Sequence, residues 1–398
     1  MPALSFQEAR QTVLDRVLSL RAPLPVEIVP LPEASGCVLA APVHADRDYP
    51  PLPRSVRDGF ALRAADTPGT LRIIGEVRAG GVFDKPLAPG QAVGIMTGAP
   101  VPPGAEAVVM IEQVTVTGDS VVVPRSVERG EHINARASEC SAGTEVLRTG
   151  TRVDYRQAAM LASIGITQVP VFQTPRVAIL STGDEIVPLN VRPEPYQIRN
   201  SNAYSLAVQV ARAGGEPDIL PIAPDTVEET KQLVCEGLDE HDLLLISGGV
   251  SAGKYDVVET VLSQLGAEFY FDRVLIQPGQ PCVFGRVQDT FFFGLPGNPA
   301  SSMVCFEIFA RAALELIGGQ NESDLPILEV ELAQDFRQKP GLTRFLPALL
   351  SSDGCTLTPV RWSGSSDIYA LSRSNAYLVT HPDRTAYRKG EKIGVLLR

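Results

Sequence analysis

The chain has 398 residues, with 35 lysines and arginines against 46 aspartates and glutamates, which gives a formal net charge of −11. This length predicts two to four domains, and the acidic balance argues against a general nucleic-acid-binding protein. A small anionic ligand is still compatible with it, because a local pocket can carry the opposite charge.

The first half of the chain predicts a helix followed by short strands. Ser5 and Glu8 form the Ser-x-x-Glu pattern of a helix N-terminus, and apolar residues recur at helical spacing as far as Pro23. A second short helix is predicted around 31–39. Four β-type runs then alternate with glycine and proline, which is typical of a small barrel or sandwich; they are 71–77, 92–96, 107–112 and 120–123.

Residues 176–322 alternate strands with helices, which predicts a doubly wound α/β domain. Three apolar runs without alternation indicate strands of a sheet that is covered on both faces. Each run ends in a glycine-rich turn, at 181–185, 247–256 and 294–299. Helices are predicted at 155–164, 201–213, 226–240, 257–265 and 300–317, and a strand at 218–221. A β-rich pattern returns beyond Asp324.

The three turns predict one ligand pocket along the carboxyl edge of a parallel sheet. A glycine-rich turn after a strand lets backbone N–H groups contact an anion, usually with a helix N-terminus behind it. In the first turn, Ser181 and Thr182 offer hydroxyls, while Asp184 and Glu185 offer carboxylates for a ligand or a metal. A helix N-cap with acidic residues in its first turn explains this segment equally well.

The second turn combines small residues with Lys254 and Asp256, which favours a phosphate-binding loop over a capped tight turn. Mg²⁺ typically uses one or two carboxylates together with substrate phosphates and waters. Asp225 follows another strand end and could pair with Asp256 around a metal, or could instead cap the next helix. The third turn could be only a rigid strand-to-helix connection, and Asp58 and Thr97 have no role that spacing alone assigns.

No Ser/His/Asp or Cys/His nucleophile pattern occurs, so the chemistry indicated is phosphate handling by carboxylates and a metal. The six cysteines are widely spaced without a Cys-x-x-Cys pair, which favours free thiols in a reducing compartment. The first residues lack the pattern of a secretion signal, and no apolar run reaches membrane-spanning length. We therefore expect a cytoplasmic protein that contacts neither membrane nor nucleic acid.

Taken together, the motifs resemble the molybdopterin molybdenumtransferase family over essentially the whole chain. Residues 50–61 are similar to the family's Pro-Pro-Phe-x-x-Ser-Ala-Met-Asp-Gly-Tyr-Ala, and residues 90–99 to its Met-Thr-Gly-Ala segment. The three glycine-rich turns match the family's pocket turns in the same order.

The resemblance implies an α/β plus β fold: a doubly wound α/β cofactor-binding domain, a β-rich domain II, a small linking domain and a C-terminal β-barrel-like domain. The expected segments are an N-terminal helix with part of the linking domain at 1–48, domain II at 49–137, the rest of the linking domain at 138–175, the α/β domain at 176–322 and the C-terminal domain at 323–398. It also implies an elongated homodimer with its active site between subunits, and transient contact with other proteins of molybdenum cofactor biosynthesis.

The activity that the resemblance implies is insertion of molybdate into adenylylated molybdopterin with release of AMP, assisted by Mg²⁺. The implied catalytic residues are Asp58, Thr97, Asp184, Glu185, Asp225 and Asp256, of which Asp58 and Thr97 would reach the partner subunit's cleft. Glu185, Asp225 and Asp256 would bind the metal. The implied cofactor-binding residues are Ser181, Thr182, Gly183, Ser247, Gly248, Gly249, Ser251, Pro296, Gly297, Asn298, Pro299, Arg273, Arg344 and Ser366.

The chain departs from the family pattern at several polar positions. Gln277 and Gln280 stand where the family often has lysines, although Arg273 keeps one charge in that segment. Asn134 stands where an arginine is frequent, with Arg136 nearby, and Thr226 stands where a second aspartate is common. These departures predict altered affinity for molybdate rather than a different reaction.

Two other functions are compatible with the sequence. A related molybdopterin adenylyltransferase shares the α/β domain, but that enzyme normally consists of this one domain and would lack the first-half motifs. A cofactor-binding scaffold is the other alternative, because the chain is also similar to the C-terminal part of gephyrin. The acidic residues of the cleft favour an enzyme over a scaffold.

Overall fold

The structure is a computed structural model that describes residues 1–249 and 257–397. The chain divides into two compact units: unit 1 comprises Met1–Ala41, Thr149–Ala158 and Gln168–Arg398, and unit 2 comprises Pro42–Arg148 and Ala159–Thr167. The α-helices of the described residues are α1 (Phe6–Leu20), α2 (Tyr155–Ser163), α3 (Ser201–Ala213), α4 (Val227–Glu240), α5 (Val257–Gln264), α6 (Pro299–Cys305), α7 (Arg311–Ile317) and α8 (Ile368–Ser372).

Short strands dominate the rest of the described chain. Up to the linking region they are β1 (Val26–Pro30), β2 (Val43–His44), β3 (Arg54–Ser55), β4 (Gly59–Leu62), β5 (Gly69–Val77), β6 (Gln91–Ile95), β7 (Ala107–Met110), β8 (Thr115–Thr117), β9 (Ser120–Val123), β10 (Ile133–Asn134), β11 (Glu145–Leu147) and β12 (Gln168–Phe172). The central strands are β13 (Arg176–Ser181), β14 (Ile186–Val187), β15 (Ile198–Arg199), β16 (Glu216–Ile219), β17 (Leu243–Ser247), β18 (Glu268–Phe271), β19 (Ile276–Gln277), β20 (Val283–Val287) and β21 (Thr290–Leu295). The last are β22 (Ile327–Leu332), β23 (Phe336–Arg337), β24 (Thr343–Leu350), β25 (Thr356–Pro359), β26 (Ala376–Val379), β27 (Ala386–Tyr387) and β28 (Lys392–Leu397).

Helix α1 begins with the predicted capping box. The Ser5 hydroxyl accepts a hydrogen bond from the Glu8 N–H, and the Glu8 carboxylate accepts one from the Ser5 N–H at 2.8 Å. Phe6, Ala9 and Val13 are buried in the largest core of unit 1. The helix is therefore defined by its cap at one end and by its apolar face along its length.

The core of unit 1 is a six-stranded sheet in the order β16-β13-β17-β21-β20-β18. Strands β16, β13, β17 and β21 are parallel, as the uninterrupted apolar runs predict, and alternate residues of β13 enter separate cores on the two faces of the sheet. Strands β20 and β18 are antiparallel and were not predicted. The β20–β21 hairpin turns at Gln288, with φ 51°, rather than at the Asn-Gly or Asp-Gly pair that usually marks a hairpin in sequence.

Helices cover both faces of this sheet. Residues of α1, α3, α6 and α7 belong to one core, and residues of α4 and α5 to the other. The predicted helix 300–317 is α6 and α7 joined by a π-helical turn at Phe306–Ala310. The doubly wound α/β architecture is therefore confirmed, with an antiparallel extension at one edge.

The C-terminal strands form a closed barrel, because β24-β25-β22-β28-β26 pair in order and β26 pairs back onto β24. Strand β19, from the α/β region, adds to β24 in parallel. Inward residues such as Val330, Leu357 and Val395 are buried. This barrel confirms the expected C-terminal β domain.

The predicted short helix at 31–39 is wrong. Only a 3₁₀ turn at Leu31–Glu33 forms, after which Val38 and Leu39 make isolated bridges to Arg152 and Val171. Gly36 adopts φ 85°, a left-handed conformation that ends a helix rather than continuing it. The segment instead joins the β1–β12 pair of unit 1.

Unit 2 contains a six-stranded sheet in the order β7-β4-β6-β5-β9-β8. The four predicted runs correspond to β5, β6, β7 and β9, so the β-rich character is confirmed. Phe60 and Leu62 enter one core while Ala61 enters another. The sheet thus has a core on each face and does not close into the predicted barrel or pair into a sandwich.

All six cysteines are free thiols, as their scatter predicts. Among the described residues, no helix has both the length and the apolar character needed to cross a membrane.

Candidate active site

The three glycine-rich turns meet at one cavity of about 450 Å³ at the carboxyl edge of the central sheet. Strands β13, β17 and β21 lie side by side in register, with Ser181 opposite Ser247 and Ser247 opposite Leu295, so their turns begin at the same level. The cavity is lined by Thr182, Gly183, Glu185, Ile186, Ile198, Arg199, Asn200, Ser201, Asn202, Asp225, Ser247, Gly248, Gly249, Pro281, Pro296, Gly297, Asn298 and Pro299.

In the first turn, the Glu185 carboxylate folds back over Gly183. Gly183 has φ 140°, and a Cβ atom there would lie 2.5 Å from Glu185 Oε2. The Thr182 N–H donates to Ser247 O at 3.0 Å, and the Gly183 N–H donates to Ala223 O at 3.2 Å. The alternative interpretation of this turn as a helix N-cap is wrong, because β14 follows it and the next helix begins only at Ser201.

The second turn needs glycine for both conformation and space. Gly248 has φ 95° and Gly249 has φ 63°. A Cβ at 248 would lie 2.6 Å from Thr182 O, and a Cβ at 249 would lie 2.7 Å from both Thr182 Oγ1 and Val258 Cγ2. Ser251, Lys254 and Asp256, which the sequence also assigned to this turn, lie outside the described residues.

The third turn is held rigidly against the second. The Gly248 N–H donates to Leu295 O at 3.1 Å, and Gly297 O accepts a hydrogen bond from Asn202 Nδ2 at 2.8 Å. Asn298 is the N-cap of α6, and Pro299 begins that helix. Gly297 and Asn298 are exposed and line the cavity, so this connection is rigid and is also part of the site.

The sequence did not identify two asparagines, Asn200 and Asn202, whose side chains hydrogen-bond to the turns. Asn202 Nδ2 donates to Ser247 Oγ at 2.8 Å as well as to Gly297 O, and it thereby joins the second turn to the third. Asn200 caps α3, and its Oδ1 accepts a hydrogen bond from the Ser181 hydroxyl at 3.0 Å. The Asn-Ser-Asn sequence at 200–202 was the feature of the sequence from which these two asparagines could have been identified.

Two polar atoms at this site are buried without a hydrogen bond in the described part of the chain: Thr182 Oγ1 and Asn202 Oδ1. Leaving a buried polar atom unpaired costs about 1–3 kcal/mol. Such atoms in a folded protein usually indicate strain, a functional role or an unplaced partner. Both belong to residues that line the cavity.

Acidic side chains cluster on one side of the cavity. The Asp225 N–H donates to Asp184 Oδ1 at 3.2 Å. Burial, together with the neighbouring charges of Asp184 and Glu185, raises the pKa of Asp225 above its usual value. Carboxylates that destabilise each other's charge in a cleft are typical of a site for a hard cation. The alternative role of Asp225 as a helix cap is wrong, because the N-cap of α4 is Thr226.

Glu185 and Asp225 line the same cavity and supply oxygen ligands of the kind that Mg²⁺ prefers. Within residues 1–249 and 257–397, no group of three or more metal-ligating side chains occurs. The third sequence-predicted ligand, Asp256, lies outside those ranges. The donor set therefore fits a cation that completes its coordination with substrate oxygens and water.

Other sequence-predicted residues lie around this cavity rather than in it. Asp184 lines an adjoining cavity of about 570 Å³ together with Gly183. Arg273 lines a smaller one of about 180 Å³, and Pro281 borders both that cavity and the main one. Arg199, which sequence reasoning did not select, is the one cation among the described lining residues of the main cavity.

The C-terminal barrel borders the site through a loop at 363–367. The Ser365 carbonyl accepts a hydrogen bond from the Ala300 N–H at 2.9 Å, directly after Pro299. Ser366 lies exposed in this loop, and its carbonyl accepts a hydrogen bond from the Ile368 N–H. Arg344 is buried in β24, so neither Arg344 nor Ser366 lines the main cavity itself.

Asp58 and Thr97 lie together in unit 2. Asp58 Oδ1 accepts hydrogen bonds from the Thr97 N–H at 2.6 Å and from its hydroxyl at 2.9 Å, and these bonds lower the pKa of Asp58. Asp58 precedes β4 and Thr97 follows β6, whose residues Gly59 and Ile95 are paired. The pair is exposed and therefore presents an ionised carboxylate on the surface of unit 2.

Three family models match consecutive parts of the chain: "MoeA N-terminal region (domain I and II)" at residues 4–165, "Probable molybdopterin binding domain" at 178–316 and "MoeA C-terminal region (domain IV)" at 329–397. The molybdopterin molybdenumtransferase of Bacillus subtilis (strain 168) is 35% identical over 384 residues, covering 93% of this chain and 89% of that protein. The molybdopterin molybdenumtransferase of Staphylococcus aureus (strain MSSA476) is 30% identical over 393 residues, covering 96% and 94%.

A solved structure extends the likeness to three dimensions. The crystal structure of the molybdopterin biosynthesis moeA protein from Pyrococcus horikoshii OT3 superposes with a TM-score of 0.82 at 31% identity and covers all of both chains. Sequence, domain order and fold therefore agree over the full length. The chain belongs to the molybdopterin molybdenumtransferase family.

Proposed function

We propose that this protein is a molybdopterin molybdenumtransferase that inserts molybdate into adenylylated molybdopterin and releases AMP. The observation that carries the proposal is the convergence of three glycine-rich turns on one cavity, beside an aspartate whose pKa is raised by its acidic neighbours. The relatives that carry this name cover nearly the whole chain.

The turns supply donors for a phosphate group. The backbone N–H groups of Gly249, Gly297 and Asn298 make no hydrogen bond within residues 1–249 and 257–397, and all three residues line the cavity. Free N–H groups at a turn that leads into a helix bind phosphate oxygens well. These groups would hold the terminal phosphate of the pterin, and Arg199 would add a positive charge at the rim.

The acidic side of the cavity would face the phosphoanhydride bond that is cleaved. Glu185 and Asp225, completed by Asp256, would hold Mg²⁺, which when bound offsets the charge that develops on the phosphoanhydride oxygens. The raised pKa of Asp225 means that its negative charge is unfavourable until a cation is present. The carboxylates therefore recruit the cation and fix it next to the turns that hold the phosphate.

We also propose that the active protein is a cytoplasmic homodimer with the five-segment domain division given above. Asp58 and Thr97 of one subunit would complete the partner's cleft, since their ionised carboxylate and hydroxyl are exposed on unit 2. Co-expression of Asp58→Ala and Asp225→Ala chains tests this arrangement. Mixed dimers then contain one intact cleft and regain activity, whereas a cleft built from a single subunit gives no recovery.

The activity is tested with purified protein, adenylylated molybdopterin and Mg²⁺, by measuring AMP with and without molybdate. Molybdate-dependent AMP release supports the proposal. Consumption of ATP with molybdopterin alone would identify the adenylyltransferase instead. Undiminished cofactor production in cells that carry Asp256→Ala would favour the scaffold.

A further inference from the structure

A second cavity adjoins the main one at the end of strand β16. Its volume of about 570 Å³ lies within the range of about 300–1,000 Å³ that is usual for small-molecule sites. Gly183 and Asn200 line both cavities, so a ligand can extend from one into the other. Among the described residues that line this second cavity, all except Asp184, Asn200 and Tyr204 are apolar or glycine. The cavity therefore combines an apolar wall with three polar side chains.

Asn200 directs a hydrogen-bond donor toward these cavities. The residue is only 6% exposed, and its Oδ1 accepts hydrogen bonds from the Ser181 hydroxyl at 3.0 Å and from the Ala203 N–H at 3.2 Å. Because a backbone N–H can only donate, these bonds fix which end of the amide is oxygen. Its Nδ2 donates to no described residue and is not among the buried unpaired atoms. The Nδ2 group is therefore open to a ligand.

Tyr204 supplies a flat aromatic surface beside that donor. Asn200 is the N-cap of α3, and Tyr204 lies four residues later on the same helix, so the two residues are neighbours on the helix surface. Tyr204 is 47% exposed and lines the second cavity. Its ring is therefore accessible to a planar ligand, and aromatic side chains bind nucleic-acid bases by stacking.

Asp184 supplies an acceptor near the first turn. Its Oδ1 accepts a hydrogen bond from the Asp225 N–H at 3.2 Å, whereas its Oδ2 accepts none from the described residues. Asp184 is exposed, lines the second cavity and directly follows Gly183, which both cavities share. A carboxylate that lies between a phosphate-binding turn and a ring-binding surface is suited to ribose hydroxyls.

We propose that the second cavity binds the adenosine group of adenylylated molybdopterin and of the AMP that is released. Tyr204 stacks on the adenine ring, Asn200 Nδ2 donates to an oxygen or ring nitrogen of the nucleoside, and Asp184 accepts from the ribose hydroxyls. The inference rests on the proposed function and identifies which end of the substrate lies at β16.

The strand order favours adenosine over the pterin at this position. The three turns follow β13, β17 and β21, whereas the second cavity lies at β16, on the other side of β13. Strands are about 4.8 Å apart, so the third turn, proposed to hold the pterin phosphate, lies about 10 Å from the first turn. The group that extends past the first turn is then the one across the phosphoanhydride from the pterin.

The chemistry of the wall agrees with this assignment. A pterin presents several N–H donors along one edge, and burying them requires several acceptors. Residues 219–222 line the second cavity with apolar side chains, and Asp184 is the one carboxylate among its described lining residues. The cavity therefore suits adenine, which has fewer donors.

Calorimetric titration of the full chain with AMP and Mg²⁺ tests the inference without turnover. We expect Tyr204→Ala to weaken AMP binding by about 5- to 150-fold, the effect of losing one stacked base. Tyr204→Phe keeps the ring and binds AMP as wild type does. Tyr196→Ala is the matched control, because Tyr196 is 76% exposed and is not among the residues that line the cavity. The melting temperatures of all three variants remain near wild type.

Related ligands separate the base and the ribose from the phosphate. Ribose 5-phosphate has no base, so wild type and Tyr204→Ala bind it equally. An equal loss for ribose 5-phosphate and AMP would show that the phosphate site had changed, and it would overturn the stacking role. Wild type binds AMP more tightly than the analogue that lacks both ribose hydroxyls. Equal affinities for those two ligands would overturn the contact with Asp184.

The outcome for AMP binding is independent of the outcome for turnover. A loss of at least about fivefold in Tyr204→Ala supports the adenosine cavity, even if molybdate-dependent AMP release fails and the proposed function falls. Equal AMP affinities of Tyr204→Ala and wild type overturn the inference, even if AMP is released. A Tyr204→Ala chain that loses affinity for molybdopterin but not for AMP would place the pterin in this cavity and would overturn the inference as well.

Discussion

The carboxyl edge of the central sheet and the C-terminal barrel carry opposite charge, the first through a cluster of carboxylates and the second through the buried guanidinium of Arg344. At the sheet edge, Asp225 lies among other acids and has a raised pKa. At the barrel, Arg344 is buried among neutral oxygens, and no carboxylate of residues 1–249 and 257–397 pairs with it. Under the proposed function, the first region would bind a phosphoanhydride together with a cation, whereas the guanidinium of the second would attract an anion directly.

Under the proposed function, this difference would separate two binding events in one reaction. Phosphate binding would depend on a recruited cation and on the free turn N–H groups, while oxyanion binding would depend on the Arg344 guanidinium, which donates to the amide oxygens of Gln277 and Gln338. Substitutions on the two sides should therefore change different kinetic constants.

Asp225→Ala should abolish most of the turnover. Removal of a cation ligand beside the scissile bond should lower the rate of molybdate-dependent AMP release by at least about 100-fold, without changing the affinity for molybdate in calorimetry. Glu228→Gln, an exposed acidic position in the first turn of α4, is the matched control. A variant that loses molybdate affinity and turnover together would contradict the separation of the two regions.

Gly249→Ala should distort the second turn. Its φ of 63° is strained for alanine, and the new methyl would lie 2.7 Å from Thr182 Oγ1 and Val258 Cγ2. Gly266→Ala provides the control, because it has φ 77° with no atom within 4 Å and so carries only the backbone strain of about 1–2 kcal/mol. We expect a further loss of about 1–3 kcal/mol at 249 and weaker binding of adenylylated molybdopterin. Equal melting temperatures and affinities for the two variants would show that the turn tolerates a side chain.

Asn202→Ala should loosen the link between the second and third turns. Loss of its bonds to Ser247 Oγ and Gly297 O should lower the free energy of unfolding by about 1–3 kcal/mol. Asn202→Asp should be worse, because a carboxylate oxygen would then face the Gly297 carbonyl. Chemical denaturation measures both, with Asn321→Ala, which removes an exposed bond to Thr149 O, as the control. An aspartate as stable as asparagine would contradict this orientation of the amide.

Asp225→Asn should raise stability slightly at neutral pH when no divalent cation is present. The folded-state pKa of Asp225 is raised, so its ionisation above that pKa opposes folding, and the amide removes this cost. We expect a gain in melting temperature on the order of 1 °C that shrinks as the pH falls toward the ordinary aspartate value of 3.8. Added Mg²⁺ should reverse the order, because only wild type retains the negatively charged ligand. A gain that grows toward acidic pH would contradict the raised pKa.

The sequence predicted the elements whose pattern is local. Strands such as β13 and β17 are continuous apolar runs, and α1 carries a complete capping box. Because parallel strands place their carboxyl ends at one edge, the meeting of the three turns followed from the pattern alone. The helix expected at 31–39 does not form because Gly36 adopts a left-handed backbone conformation in the middle of the segment.

Long-range contacts could not be predicted in this way. Asn202 joins two turns that lie 45 and 95 residues further along the chain. No local sequence pattern predicts hydrogen bonds over such distances. The contact between Gln277 and Arg344 spans 67 residues and depends on β19 joining the barrel. Likewise, Arg273 is close to the site in sequence but lines a separate cavity, because side-chain direction is set by packing.

A crystal structure with adenylylated molybdopterin and Mg²⁺ tests the proposed site most directly. We predict that the terminal phosphate of the pterin accepts hydrogen bonds from the N–H groups of Gly297 and Asn298, with the cation on Glu185 and Asp225. A pterin phosphate bound away from the three turns, or a cation that contacts neither carboxylate, would contradict the proposal.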